Sequence, residues 1–203
     1  MKVLVQWLII VVLTGIYLAA FMAMLHPKVS AAYRSYYIDH NSSDWNPVHY
    51  STTPEQGMNF GRKGLPEWVD STFGLSFRDP MGRWTDRNVA KIPAISFTRP
   101  FKGPTCVEFN LAPAPALAGK ALAVRMGDET KTLQFVKPGF VEYRVAFSLD
   151  RGADKLEFLL PDKLPRESEV DRTSGDTRRL GVALNTLKIV PGNCVGEDDR
   201  DGN

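Results

Sequence analysis

The chain has 203 residues, of which 43% are hydrophobic and 24% charged, as expected for one folded domain with additional segments. Its 25 basic and 23 acidic residues give a formal net charge of +2, and Lys2 and Lys28, the only charged residues among the first 28, account for that excess. The rest of the chain is formally neutral and lacks the basic excess of a nucleic-acid-binding domain, so we expect no nucleic-acid partner.

The N-terminus is a long apolar segment. Residues Val3 to Leu25 carry no charge, and a helix of this length extends roughly 34 Å at about 1.5 Å per residue, enough to cross a hydrocarbon core of about 30 Å. A cleaved signal peptide is the alternative, because Val29-Ser30-Ala31 has the small residues that signal peptidase prefers. The run is longer than the roughly 7–15 apolar residues of a signal peptide, and we therefore favour an uncleaved transmembrane anchor over residues 1–28.

A transmembrane helix associates with other helices through small and polar residues, which permit close approach or hydrogen bonding in lipid. Four residues of the apolar segment are candidate contacts to a membrane-protein partner on this ground: Gln6, Thr14, Gly15 and Tyr17. The sequence therefore offers the anchor as a candidate interface as well as a tether.

Residues 29–70 show no sustained period of 2 or 3.6 and are rich in Asn, Ser and Pro. They also contain more aromatic residues than a fully solvated linker: Tyr33, Tyr36, Tyr37, Trp45 and Tyr50 are among them. We predict a stalk with some ordered turns that packs on the following domain or on a partner.

From residue 71 to 192 the sequence consists of short runs of alternating apolar and polar residues, separated by Gly, Pro and Asp. The clearest run is Val141–Leu149, where the alternation is typical of a strand with one buried and one solvent-exposed face. The predicted strands are 73–77, 89–92, 94–97, 106–111, 121–126, 130–136, 141–149, 155–160 and 180–190. Such a series predicts an all-β fold, an antiparallel β-sandwich of jelly-roll type.

The last predicted strand contains an irregularity. Its apolar residues change phase by one position, which predicts a β-bulge near Asn185-Thr186. The polar residues 193–203 that follow are predicted to form a tail without regular structure.

Cys106 and Cys194 are the only cysteines of the chain. In an exported protein an even number of cysteines indicates a disulfide, which here would connect an early strand of the domain to the end of its last strand. Two unpaired thiols are the alternative. Cys106 lies on the strand face opposite Val107, Phe109 and Leu111.

The β domain shows no residue set typical of an active site. The histidines of the chain, His26, His40 and His49, all precede it, which excludes a histidine-based triad within it and leaves too few ligands for a His/Cys metal site. We expect no enzymatic activity, no catalytic residue, no metal and no cofactor.

Two polar clusters are the candidate ligand-binding residues of the domain, one at residues 82–86 and one at 175–181. In a binding site, Trp84 would be a stacking platform, and charged side chains would form hydrogen bonds with hydroxyl or anionic groups of a ligand. These charged candidates are Arg83, Asp86, Asp176, Arg178 and Arg179. In a structural role, Asp176 would order the turn into the last strand, an arginine would pair with Asp86, and Trp84 would belong to the core. For each residue taken singly we favour the structural role.

Residues 74–189 resemble the β-sandwich domain at the periplasmic C-terminal end of bacterial membrane glycosyltransferases and phosphoglycerol-transferase-like proteins. Two motifs carry the resemblance: Gly82-Arg83-Trp84-Thr85-Asp86, and the segment from Asp176 to Leu184 with the pattern D-x-R-x-L-G-V-x-L. It implies a jelly-roll fold similar to carbohydrate-binding modules, and a role in the bacterial envelope. Because the transferase chemistry of those proteins lies in other domains, the resemblance implies no catalysis here.

These observations favour a non-catalytic accessory subunit of an envelope polysaccharide synthesis, modification or export system. The chain would cross the bacterial inner membrane once, with its C-terminal domain in the periplasm, and would bind glycan or position a glycosyltransferase or synthase partner. The alternative is a structural assembly subunit that acts through its anchor and stalk without binding glycan.

Overall fold

The structure, a computed structural model, describes residues 2–25, 49–78 and 81–194. The chain divides into two compact units, residues 1–34 and 35–203. In the first unit, α1 (Lys2–Leu25) is a single helix of 24 residues, and every side chain described along it is exposed. No helix among the described residues is both long and apolar enough to cross a membrane.

The second unit is a β domain. Its described residues form the strands β1 (His49–Tyr50), β2 (Met58–Asn59), β3 (Leu65–Pro66), β4 (Val69–Phe73), β5 (Arg83–Asp86), β6 (Ala94–Pro113), β7 (Ala121–Met126), β8 (Glu129–Gln134), β9 (Val141–Leu159) and β10 (Leu180–Pro191). The helical elements among these described residues are a 3₁₀ turn at Pro115–Leu117 and the short helix α2 (Glu167–Val170).

Most strands belong to one antiparallel sheet. Its order is β2-β10-β6-β9-β7-β8, with β4 also pairing with β6 and β5 also pairing with β10, while β1 and β3 form a separate parallel pair. β6 and β9 are long because each joins two runs that the sequence predicts as separate strands. Their pairing shifts register on both sides of Phe101, beside Pro100, which has no N–H to donate to a ladder.

The sheet folds over a single core. Phe109 on β6 pairs across the ladder with Tyr143 of β9, and Phe158 pairs with Val124 of β7. The rings of Phe109 and Phe158 nevertheless meet edge to face, with centroids 6.1 Å apart. The inner faces of the two halves therefore pack against each other, and the prediction of an antiparallel β-sandwich is confirmed. The finer jelly-roll assignment stays a prediction.

Local periodicity predicts two details correctly. On β9, Val145, Phe147 and Leu149 are buried. On β10, the ladder with β6 shifts register between Leu184 and Thr186, where the sequence predicts a bulge.

The structure corrects the N-terminal boundary of the β domain. Residues 49–70, which the sequence assigns to a stalk, contribute strands β1 to β3 and the start of β4. Met58, Phe60 and Leu65 of this stretch belong to the core, and β2 pairs with β10. These apolar residues show no strand period because short strands and turns alternate every few positions. Residues 29–48 of the predicted stalk and 195–203 of the predicted tail lie outside the described residues.

Two strand predictions around the first polar cluster are wrong. Residues 89–92 form no strand, because the N–H groups of Val89 and Ala90 donate to the carbonyl of Asp86 and close a turn. The predicted strand 73–77 lies four residues too late along the chain: β4 is Val69–Phe73, and Leu75 makes only an isolated bridge with Thr85.

Candidate functional site

The fold brings the two predicted polar clusters together. β5 carries Arg83, Trp84 and Asp86, and it pairs antiparallel with the start of β10. The register places Asp86 opposite Leu180 and Trp84 opposite Ala183. Two motifs that are far apart in the sequence are therefore neighbouring strands, which the sequence does not predict.

Within this pair, the charged residues of β5 are inaccessible. Arg83 is 1% exposed and Asp86 is fully buried, so neither side chain can reach a ligand at the surface. The Asp86 carboxylate accepts a hydrogen bond from the N–H of Asn88 at 2.9 Å and holds the turn that follows β5. Their burial favours the structural role for both residues.

Two glycines of the motifs allow β5 and β10 to approach closely. A Cβ at Gly82 would collide with the carbonyl oxygen of Leu184, and Gly82 also has φ +130°, a conformation that other residues rarely adopt. A Cβ at Gly181 would collide with the side chain of Leu160 and lie 2.5 Å from Oγ1 of Thr85. The motif glycines are thus explained by packing between the strands.

Trp84 is the residue of the first cluster that remains partly exposed. Its backbone is held on both sides by Ser76, whose hydroxyl oxygen accepts from the Trp84 N–H at 2.9 Å and whose N–H donates to the Trp84 carbonyl at 2.7 Å. The indole of Trp84 therefore stays a candidate stacking surface.

The second cluster organises the loop before β10. The guanidinium Nε and Nη2 of Arg178 donate to both carboxylate oxygens of Asp176, at 2.6–3.0 Å, and the Arg178 N–H donates to Oδ1 at 2.9 Å. These hydrogen bonds hold the pKa of the Asp176 carboxyl below its usual value. Arg179 is half-buried, and its carbonyl accepts from the N–H of Arg87 at 2.9 Å. This geometry matches the predicted ordering of the turn by Asp176.

The predicted disulfide is confirmed. Cys106 on β6 is bonded to Cys194, with the two Cα atoms 4.9 Å apart. In the ladders, Cys106 pairs with Val190 of β10 and Ala146 of β9. It faces away from the core residues Val107 and Phe109, so the bridge fastens the segment that follows β10 to β6 on the outer face of the sheet.

The candidate helix contacts all lie in α1. Thr14 donates its hydroxyl to the carbonyl of Ile10 at 2.8 Å, and no described atom lies within 4 Å of a Cβ built at Gly15. Gln6 and Tyr17 are exposed. Their role as membrane contacts stays a prediction, as does the anchor itself.

A cleft that the sequence does not predict lies beside β4 and β6. We call it the Trp68 groove; its volume is about 430 Å³, and it is lined by Thr52, Thr53, Pro54, Glu67, Trp68, Thr98, Arg99, Pro100 and Phe101. Trp68 stacks on Phe97 with centroids 5.9 Å apart, and Phe97 meets Phe101 edge to face at 5.0 Å. The groove therefore has an aromatic base, three threonines and two residues of opposite charge.

The turn between β3 and β4 and the irregular part of β6 position this lining. Glu67 and Trp68 form the turn, and the N–H of Glu67 donates to the carbonyl of Tyr50 at 3.1 Å. The N–H and hydroxyl of Thr98 both donate to the carbonyl of Trp68, at 3.1 and 3.3 Å. Irregular strand segments of this kind often redirect side chains toward a site.

A second cleft, of about 450 Å³, lies at the turn between β7 and β8 and the middle of β9. Three of its four charged residues are in ion pairs: Arg151 pairs with Asp128 at 3.6 Å, and Glu129 pairs with Lys131, which lies outside the lining, at 3.1 Å. Its lining contains no aromatic side chain. Among the described residues, no group of three or more His, Cys, Asp or Glu residues is arranged to hold a metal ion.

The sequence misses the Trp68 groove for a physical reason. Glu67 and Trp68 lie in the presumed stalk, and Arg99 and Phe101 lie between two presumed strands, so neither pair stood out as a motif. The available signal was an aromatic residue beside a charged one, Trp68 after Glu67 and Phe101 before Lys102, and this pattern is too short to indicate a site by itself.

Comparisons with known proteins give one family and several solved structures. The profile of a family described as "Domain of unknown function (DUF7024)" matches residues 45–191. No curated protein matches the chain.

Among solved structures, a mutant of the family 29 carbohydrate-binding module CBM29-2 has a TM-score of 0.43 at 14% identity, over 68% of this chain and 91% of that one. Another family 29 module has a TM-score of 0.39 at 15% identity, over 72% and 96%. A ruminal GH26 endo-β-1,4-mannanase has a TM-score of 0.37 at 10% identity, over 78% of this chain and 26% of that one.

Proposed function

For a chain that belongs to the DUF7024 family, whose description assigns no activity, we propose a role as a non-catalytic accessory subunit in the bacterial envelope. Its N-terminal segment tethers it to the inner membrane, and its β-sandwich lies in the periplasm. There it binds a glycan and presents it to a membrane-bound glycosyltransferase or synthase.

The observation that carries this proposal is the bond between Cys106 and Cys194. Structural disulfides persist in oxidising compartments such as the bacterial periplasm and are rare in the cytosol. Together with the uncharged run from Val3 to Leu25, the bond supports export of the domain by an N-terminal apolar segment.

The surface of the domain supports binding rather than turnover. Arg83 and Asp86 on β5 are buried, and Asp176 and Arg178 before β10 are hydrogen-bonded to each other. The Trp68 groove is lined by hydroxyl, charged and aromatic side chains, which are the groups that recognise sugars through hydrogen bonds and ring stacking. The resemblance of the two motifs to periplasmic domains of membrane glycosyltransferases is consistent with this role.

The test uses the full-length chain extracted from membranes in mild detergent. We expect it to fractionate with the inner membrane, to co-purify with a glycosyltransferase or synthase, and to bind fragments of envelope polysaccharides on an array. If neither glycan binding nor such an enzyme is found, the proposal fails.

A chimaera separates this function from the alternative of a structural assembly subunit. Residues 1–28 are exchanged for an unrelated single-pass anchor, and glycan binding and co-purification are measured again. Retention of both supports the proposal, because the β domain then carries the function. Loss of co-purification with no glycan binding in either chain supports the assembly role.

A further inference from the structure

We infer that the Trp68 groove is the saccharide-binding site of this domain, an assignment that rests on the proposed function and gives it a location. We expect the ligand to be a neutral or zwitterionic oligosaccharide, because the charged residues of the groove are one carboxylate, Glu67, and one guanidinium, Arg99, whose charges balance.

The aromatic base is the first reason. Trp68, Phe97 and Phe101 form a continuous row of rings, of which Trp68 and Phe97 are buried and Phe101 is partly exposed. The edge-to-face contact with Phe97 restrains the ring of Phe101, and a restrained apolar surface loses little conformational entropy on binding. The C–H face of a pyranose ring can pack on such a surface.

The charged residues at the rim are the second reason. Glu67 and Arg99 are exposed, and neither forms an ion pair with another residue in the part of the chain that the structure describes. A guanidinium donates up to five hydrogen bonds and a carboxylate accepts several. Together they match the adjacent donor and acceptor hydroxyls of a sugar. The Arg151–Asp128 pair of the second cleft has already satisfied part of this capacity.

The indole N–H of Trp68 is the third reason. Trp68 is 9% exposed and lines the groove, and its Nε1 is buried without a hydrogen-bond partner. A buried donor of this kind costs free energy, because it has lost its hydrogen bonds to water. A ligand oxygen that reached Nε1 after a small displacement of the rim would recover that free energy, which favours an occupant with hydroxyl groups.

The experiment measures binding by the full-length chain in nanodiscs. The probes are hexasaccharides of β-1,4-linked glucose, mannose and N-acetylglucosamine, and oligosaccharides released from peptidoglycan and lipopolysaccharide. Titrations compare the wild-type chain with Arg99→Ala, Phe101→Ala and Glu67→Gln. The matched control is Arg151→Ala, which removes an exposed arginine from the second cleft.

We expect Arg99→Ala and Phe101→Ala to weaken binding at least tenfold and Glu67→Gln about threefold, while Arg151→Ala changes it less than twofold. Because Phe101 also contacts Phe97, Phe101→Ala could weaken binding by destabilising the fold, and the thermal transition of each variant is therefore measured. Arg99→Ala removes only an exposed side chain, so its effect on binding tests the groove without this complication. If the wild-type chain binds a probe and neither Arg99→Ala nor Phe101→Ala changes its affinity, the assignment of the binding site to the Trp68 groove is wrong. The proposed function would still stand in that case. Absence of binding by the wild-type chain to every probe overturns both.

Discussion

The hydroxyl of Thr85 on β5 accepts a hydrogen bond from the N–H of Val182 on β10 at 2.8 Å and donates one to the carbonyl of the same residue at 3.3 Å. Both residues are fully buried. One side chain therefore satisfies the backbone of the neighbouring strand at the point where the ladder between β5 and β10 is irregular. This contact explains why a hydroxyl residue lies between the tryptophan and the aspartate of the first motif.

Replacing Thr85 by Val keeps the volume of the side chain and removes both hydrogen bonds. The N–H of Val182 would then be buried without this partner, and we expect the free energy of unfolding to fall by about 1–3 kcal/mol. Urea denaturation of the variant measures the change. Thr132→Val, on the exposed face of β8, is the control and should change stability by less than about 0.5 kcal/mol. Equal effects at the two positions would contradict the role assigned to Thr85.

A methyl group at Gly181 would collide with Leu160 and crowd the hydroxyl of Thr85. We expect Gly181→Ala to destabilise the domain by about 1–3 kcal/mol, as overpacking of a core usually does. The control is Gly175→Ala, where no atom lies within 4 Å of the added Cβ and φ is not positive. Thermal unfolding of both variants checks the prediction, and a stable Gly181→Ala would show that β10 can move away from β5.

Removing the disulfide should destabilise the domain strongly. The bond closes a loop with a sequence separation of 88 residues, and loss of a native disulfide from a small secreted domain typically costs about 2–5 kcal/mol. We expect the Cys106→Ser/Cys194→Ser double variant to unfold at lower urea concentration than the oxidised wild-type chain. A reductant should lower the midpoint of the wild-type chain and leave that of the double variant unchanged. A reductant-insensitive wild-type chain would argue against the bond and against the periplasmic location.

The pH dependence of stability should report on the pair formed by Asp176 and Arg178. The hydrogen-bonded guanidinium lowers the pKa of the Asp176 carboxyl in the folded chain from its usual 3.8. The stabilisation is therefore present above pH 3.8 and is lost as the pH falls through the folded-state pKa. We expect the difference in unfolding free energy between the wild-type chain and Asp176→Asn to shrink on acidification. A constant difference between pH 6 and pH 2.5 would exclude this linkage.

Glu167 provides a test of the opposite sign. Burial, with the nearby carboxylates of Asp176 and Asp171, raises the pKa of Glu167 above its usual 4.5. The stability that the protonated Glu167 carboxyl gives to the folded chain is present below pH 4.5 and is lost as the pH rises through the folded-state pKa. We expect Glu167→Gln to gain stability relative to the wild-type chain as the pH increases from 4 to 7, which thermal unfolding in a series of buffers can measure. A relative loss over that range would reverse the assigned cause.

The sequence by itself determined the features that depend on local strand periodicity or on the small number of cysteines. The alternation in Val141–Leu149 fixes which face of β9 is buried, and the change of phase near Asn185 locates the bulge in β10. With two cysteines in the chain, only one intramolecular disulfide can form. These inferences hold because strand periodicity and covalent pairing do not require knowledge of which strands are neighbours.

Only the tertiary structure decided which polar residues are accessible. Arg83 and Asp86 are typical of a binding site by residue type, but pairing between β5 and β10 buries them. Trp68 and Arg99 lie in unremarkable sequence, and pairing between β4 and β6 brings them to one groove. Burial is a property of the complete set of neighbours, and long-range strand pairing sets those neighbours. A local pattern can therefore predict a strand and its inner face, but not which polar groups remain available to a ligand.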